Sequence, residues 1–289
     1  MASVAVVGGT AALARYLLPC LEAHGHSVVT LGRTRCDVLC DLLDDGPVSL
    51  PEGVDAVVHL AALSRGSGDT DLQHMAEVNS LGALKVAMGA RAAGARHMVL
   101  VSTQYVQLKP DSRYYGMYPV TKRCAEEMVG CYCALHDIPL TVLRPSQIYD
   151  DRGLFSVHQP LLYLMADRAE AGEEITIHGR NDARRNYIHA RDVAEVMARV
   201  VERGVTGVFP VGFPRDCSLS EMADHALRAF GSRARATFLR DRESIPDTVF
   251  GIETELYETI GYFPSIDMKT GMEMLATSRR EGQDEEHSR

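Results

Sequence analysis

Short unbroken apolar runs alternate, along the first half of the chain, with segments whose apolar residues recur at helical spacing. Residues 4–7 (Val-Ala-Val-Val) form the first run, stopped by Gly8-Gly9. A helical pattern follows over about residues 13–24 and ends at Gly25. Residues 27–31, 54–60, 97–102 and 140–143 repeat the strand pattern, the last closed by Arg144-Pro145. The alanine-rich stretch 76–93 reads as a helix closed by Gly94. Apolar strands that alternate with helices predict a parallel sheet covered on both faces. Right-handed crossovers make such an α/β sheet doubly wound, with its ligand crevice at the carboxyl ends of the strands.

Beyond residue 150 the rhythm loosens into short elements with Gly and Pro punctuation, interrupted by a clear helical pattern after Asn186-Tyr-Ile-His189. The expected organisation is a sheet domain of residues 1–149 and 181–204. A smaller C-terminal lobe takes residues 150–180 and 205–276. Residues 277–289, charged and glycine-containing, are expected to fray as a tail.

Composition narrows the function. At 289 residues and 46% hydrophobic, the chain can bury a sizeable core. A formal charge of −9 argues against nucleic acid as a partner. The seven cysteines show no zinc-type pairing and read as free reduced thiols of a cytoplasmic protein, with no metal expected. The apolar N-terminus runs into a glycine turn and so reads as a strand, not a signal peptide. No apolar run reaches the roughly 20 residues of a membrane helix, and no membrane partner is expected.

Three local patterns carry chemistry. Gly8-Gly9-Thr10-Ala11-Ala12-Leu13-Ala14 follows a strand and opens a helix, the setting in which backbone N–H groups and a positive helix end face a pyrophosphate. Ala11 and Ala14 stand where glycines are usual, and the methyl of Ala11 falls where the backbone should approach the phosphates. After the second strand comes Leu31-Gly32-Arg33-Thr34-Arg35, with no carboxylate before Asp37. A cationic fork at Arg33 favours the 2′-phosphate of NADP over the ribose hydroxyl of NAD; a solvated surface arginine is the plainer alternative. Tyr118-Pro-Val-Thr-Lys122 puts a phenol and an ammonium one helical turn apart, with Pro119 tolerated at a helix entry. A phenol near pKa 10 needs a neighbouring cation to act as a base. Val101-Ser102-Thr103 adds a hydroxyl at the end of the preceding strand.

Together these residues resemble the extended short-chain dehydrogenases, specifically the NAD-dependent epimerase/dehydratase group that acts on nucleotide sugars. The likeness also runs through Cys40-Asp41-Leu42, Val58-His-Leu-Ala-Ala62, Val78-Asn79-Ser-Leu-Gly82, Leu143-Arg-Pro-Ser-Gln-Ile-Tyr149, Arg185-Asn-Tyr-Ile-His189 with Asp192, and Ile260-Gly-Tyr-Phe-Pro264. The resemblance implies a Rossmann sheet with a substrate lobe and catalysis by Thr103, Tyr118 and Lys122. It implies cofactor contacts from Gly8, Thr10, Ala11, Ala12 and Leu13, from Arg33, Asp41 and Leu42, from Leu60, Ala61 and Ala62, from Tyr118 and Lys122, and from Pro145 and Ile148. Substrate contacts would come from Thr103, Gln147, Arg185 and Arg242, with Arg185 toward the diphosphate. The expected cofactor is NADP or NAD, with NADP favoured, and the expected assembly is a homodimer through the helix of Tyr118 and the alanine-rich helix. Gln104 replaces the acidic residue that 4,6-dehydratases carry there, which points to a 4-epimerase or a 4-keto reductase. A cofactor-binding sensor or structural protein with weak or no turnover is the alternative that the missing glycines suggest.

Overall fold

The computed structural model describes residues 1–251 and 253–287, with side chains described up to Gly282. The chain forms two compact units. The first comprises Met1–Pro145, Ala194–Val211 and Glu255–Tyr262; the second comprises Ser146–Val193, Gly212–Thr254 and the described part of Phe263–Arg289.

The first unit is built on a seven-stranded sheet. Its strands are β1 (Ser3–Val7), β2 (Ser27–Gly32), β3 (Val38–Leu39), β4 (Ala56–His59), β5 (His97–Val101), β6 (Leu140–Pro145) and β11 (Gly207–Val211). The order is β11-β6-β5-β4-β1-β2-β3, and every pairing is parallel. The chain reverses its direction of winding between β1 and β4, which opens the crevice typical of such sheets. Helices α1 (Ala14–Ala23), α2 (Asp69–Ala76), α3 (Gly82–Ala92) and α4 (Met117–Leu135) flank the sheet, and a π-helical turn, Glu77–Leu81, joins α2 to α3. Val7, Leu31, Val57, Met98, Leu100 and Val142 of the strands pack with Val86, Ala87, Ala90, Ala125 and Val129 of α3 and α4 in one core. Alanines on α3 bring helix and sheet close. The helix stops at Gly94 (φ +75°), where the Ala95 N–H returns to the Ala90 carbonyl.

Among the described residues, the second unit holds three two-stranded pairs. These are β7 (Gln147–Tyr149) with β10 (Tyr187–His189), β9 (Arg184–Arg185) with β12 (Cys217–Ser218), and β8 (Ile175–His178) with β13 (Ala236–Leu239). Helices α5 (Pro160–Glu170), α7 (Leu219–Ala229) and α9 (Met268–His287) pack together. Ser218 caps α7 by accepting from the Glu221 N–H, while Glu221 accepts from the Ser218 N–H. Helix α6 (Ala190–Arg203) starts in this unit and runs into the stretch assigned to the first; the short α8 (Glu255–Ile260) belongs to the first.

Several stretches fall elsewhere than expected, among them Glu255–Tyr262, assigned to the lobe but part of the first unit. Residues 207–211, assigned to the lobe, are the edge strand β11; Pro210 lies within it, which only an edge tolerates. Residues 181–193, assigned to the sheet domain, belong to the second unit, as do 146–149. The segment from Thr277 continues α9 to His287 instead of forming a tail, with Arg279 held by Asp167 and Glu170 and set over the Phe230 ring. Ser288 and Arg289 of that expected tail lie outside the described residues.

Candidate active site

The carboxyl ends of β1, β2 and β4 enclose a cleft of about 220 Å³ lined by Val7, Gly8, Thr10, Ala11, Gly32, Arg33, Cys40–Leu43, Leu60–Leu63 and Val78. Its floor depends on Gly8. That residue sits at φ +95°, and a Cβ there would come within 2.7 Å of the Ala61 amide nitrogen. In the turn after β1 the Ala11 N–H donates to the Gly8 carbonyl (2.9 Å) and the Ala14 N–H to the Ala11 carbonyl (2.9 Å). Among the described residues, no backbone carbonyl accepts from the amides of Thr10, Ala12 or Leu13. A tight glycine floor, open amides at a helix start and an arginine at the rim fit the phosphates of a dinucleotide. Ala11 lines the cleft, while its own N–H closes the turn.

The rim at β2 separates two readings of its charges. Arg33 is exposed and lines the cleft. Asp37 folds back instead: its Oδ2 accepts from the Thr30 N–H (2.9 Å) and hydroxyl (2.7 Å), contacts that hold its carboxyl below the usual range.

Tyr118 and Lys122 stand one turn apart at the start of α4, with Pro119 in the first turn, where a missing N–H costs nothing. Lys122 is 1% exposed, and its Nζ donates to the Val101 carbonyl (2.6 Å) at the end of β5. Thr103, two residues on, is buried and accepts the Tyr105 N–H on its Oγ1 (3.2 Å), which starts a 3₁₀ turn over Gln104–Gln107. Arg123 pins that turn to α4 through the carbonyls of Val106 and Leu108. Arg144 grips the Glu126 carboxylate with Nε (3.0 Å) and Nη2 (2.5 Å), tying α4 to β6 one turn beyond Lys122. The structure thus brings Thr103, Tyr118 and Lys122 to the carboxyl end of β5, on the edge of the sheet that also carries the cleft.

Electrostatics at this edge are set by burial. The Tyr118 phenol is pushed up to about 12, first by burial and then by Tyr105. Burial lowers the Lys122 ammonium to about 8, against the pull of Glu126. His59, fully buried at the end of β4, is lowered to about 3 by burial and by Lys122. The sequence had suggested that Lys122 itself depresses the phenol. In the protein alone burial and Tyr105 set the phenol, and it keeps its proton.

Two residues here, His59 and Asn79, lie in stretches that carry the resemblance but were given no role from sequence. Both His59 ring nitrogens lack a partner among the described residues. Asn79, in the π-helical turn, accepts from the Leu63 N–H (2.7 Å) and donates to the Leu63 carbonyl (2.7 Å) and the Thr121 hydroxyl (3.0 Å). Ser80 adds a bond to the Thr121 carbonyl (2.9 Å). The π turn therefore clamps a residue of the cleft wall to the helix between Tyr118 and Lys122. A histidine within an apolar strand, and an asparagine within a helical pattern, were the available signals.

Of the remaining expected contacts, Asp41, Leu42, Leu60, Ala61 and Ala62 line the cleft. Ala12, Leu13 and Pro145 do not; Leu13 and Pro145 are turned into the protein. Ile148, Gln147, Arg185 and Arg242 belong to the second unit. There the Gln147 Nε2 donates to the Gln159 Oε1 (2.9 Å). Arg185 is 4% exposed, with Nη1 on the carbonyls of Arg184 (2.9 Å) and Pro246 (2.6 Å), whereas Arg242 is exposed.

A parallel sheet of this order, with a glycine turn leading from its first strand, defines the Rossmann class of nucleotide-binding folds. The chain belongs to the NAD-dependent epimerase/dehydratase family, whose model matches residues 4–212. It is 23% identical over 312 residues to the dTDP-4-dehydro-6-deoxy-D-allose reductase of Streptomyces bikiniensis, with 95% of each chain covered. A 22% identical match to a Methanocaldococcus jannaschii protein spans 51% of that relative. Among solved structures, RMD from Pseudomonas aeruginosa complexed with NADPH superposes with a TM-score of 0.78 at 19% identity, covering 98% of this chain and 100% of that one. The UDP-N-acetylglucosamine 4-epimerase of Bacillus cereus gives 0.75 at 20% identity, with 97% of each covered. At such identities the solved structures share the fold. No helix among the described residues is long and apolar enough to cross a membrane.

Proposed function

We propose that this protein binds NADP or NAD in the cleft and transfers hydride at a sugar carbon, C4, of a nucleoside-diphosphate sugar. The observation that carries the reading is the placement of Thr103, Tyr118 and Lys122 at the carboxyl end of β5, on the same edge as the glycine-floored cleft. The bound nicotinamide supplies or accepts the hydride. Tyr118 Oη gives its proton to the carbonyl oxygen in the reducing direction and takes it from the hydroxyl in the oxidising one. Thr103 Oγ1 orients that oxygen. Lys122, anchored on the Val101 carbonyl, brings a positive charge near the phenol and makes its ionised form accessible. Gln147, Arg185 and Arg242 are proposed substrate contacts, with Arg185 toward the diphosphate.

Two activities use this machinery, a 4-epimerase and a 4-keto reductase. Arg33 at the rim favours NADP and hence the reductase, because a reductase exchanges its cofactor each turnover. The test is to incubate the protein with NADPH and a nucleoside-diphosphate 4-keto sugar. NADPH consumed mole for mole with reduced sugar supports the reductase. Interconversion of two hydroxyl epimers with no net change in nicotinamide assigns the epimerase. Neither activity across UDP, dTDP and GDP sugars would overturn the proposal.

A further inference from the structure

Away from the cleft, the end of α1 faces α6 through a group of side chains that the proposed chemistry does not use. Cys20 and His24 lie four residues apart and so share one face of α1 at its end. Glu195 projects from α6 between them. Its Oε2 lies 3.4 Å from Cys20 Sγ and 3.1 Å from His24 Nε2, and the three donor atoms all fall within 4.8 Å of one another. We infer that Cys20, His24 and Glu195 form a binding site for one divalent cation of the zinc type.

The geometry and the donor set agree on this class of ion. Zinc bonds of about 2.3 Å to sulfur and about 2.0–2.2 Å to nitrogen and oxygen place neighbouring tetrahedral ligands roughly 3.3–3.6 Å apart. The separations of 3.4 and 3.1 Å lie close to that range and the third is within 4.8 Å, so rotamer shifts of these side chains close the site. Thiolate and imidazole together select zinc over calcium or magnesium, which prefer oxygen alone. The surroundings are those of an oriented metal site. His24 Nδ1 faces the Glu202 carboxylate at 3.6 Å, while Nε2 lies toward Glu195 and is the nitrogen placed to coordinate. Arg199 Nε holds the other oxygen of Glu195 at 2.6 Å and leaves Oε2 to the cation. The His24 and Glu195 side chains are 19% and 23% exposed, which gives an entry path and leaves the fourth position to water.

Coordination requires Cys20 to give up its thiol proton. Binding releases that proton to solvent as the sulfur–metal bond forms. The bound ion would clamp α1, the helix that opens at the phosphate turn, to α6. Cysteine spacing along the sequence does not reveal the site, because Glu195 comes from 171 residues away from its helical partner His24.

The test uses the untagged, reduced full chain. Zinc is titrated against a chromophoric chelator, and cobalt(II) is added to read its visible and thiolate charge-transfer bands. One equivalent should bind, and Cys20→Ser or His24→Gln should weaken binding at least tenfold and remove the charge-transfer band. Cys131→Ser, at an exposed thiol elsewhere, should change neither. In the wild-type chain zinc should protect Cys20 from alkylation, read by mass spectrometry, a measurement that needs no variant to fold. No stoichiometric binding, binding unchanged by Cys20→Ser, or alkylation of Cys20 unaffected by zinc would overturn the inference.

Discussion

Arg33 and Lys122 are single residues whose charges do different work. Arg33 is exposed on the cleft rim; in the proposed NADP reading it makes a charge-assisted contact to the 2′-phosphate, a contribution of about 1.5–3 kcal/mol. Arg33→Asp should therefore weaken NADP binding by roughly ten- to a hundredfold while NAD binding changes little, as titration of both cofactors would show. Unchanged NADP affinity would make Arg33 a solvated surface residue. Lys122 is buried, and folding lowers its pKa from 10.5 to about 8. Between those values the unfolded chain holds a proton that the folded chain has released, so the stability of wild type relative to Lys122→Met rises with pH across that window. The slope is at most about 1.4 kcal/mol per pH unit, and below the window the difference is flat. Denaturant unfolding of both proteins from pH 7 to 10 measures this, and a difference independent of pH would contradict it. Arg33, Tyr118 and Lys122 are proposed from the sequence because each follows a strand pattern. His59 stands in the stretch Val58-His-Leu-Ala-Ala62 that carries the resemblance, but its lack of partners among the described residues appears only once the sheet has buried it.

At the scale of elements, the expected strands and helices with long apolar runs are present. The differences arise where a short segment depends on tertiary contacts. β3 has two residues, and β11 carries a proline, so neither offers a strand pattern; the sheet edges admit both. Residues 76–93 read as one helix because a π turn has no compositional signature, yet that turn is what directs Asn79 toward Leu63 and Thr121. Asn79→Ala should leave the Leu63 N–H and carbonyl and the Thr121 hydroxyl with lost partners, at a cost of about 2–4 kcal/mol. Cofactor affinity should fall with it, since Leu63 lines the cleft. Urea unfolding with a loss below about 0.5 kcal/mol would show that the clamp is dispensable. The charged end of α9 was unreadable for a related reason: its order comes from Arg279 reaching Asp167, Glu170 and Phe230, contacts between residues distant in sequence.

For the whole molecule, the first unit leaves apolar side chains exposed on α3 and α4 that its own core does not use. Ala125 and Val129 of α4 are core residues, but Met88 on α3 and Leu135 on α4 are 48% and 73% exposed, and Cys124 and Cys131 are exposed too. An isologous contact through these helices would cover them. Light scattering at micromolar concentration is expected to give a homodimer, and a species of 31.7 kDa alone would contradict it. The division of labour between a cofactor cleft and a catalytic helix is the central claim, and Tyr118→Phe tests it most directly. The substitution removes the proton carrier and keeps the ring, so NADPH should bind as tightly as to wild type. In a single turnover with the nucleoside-diphosphate sugar that wild type accepts, hydride transfer followed by nicotinamide absorbance should slow by at least a hundredfold. Transfer at the wild-type rate with equal cofactor binding would contradict the account.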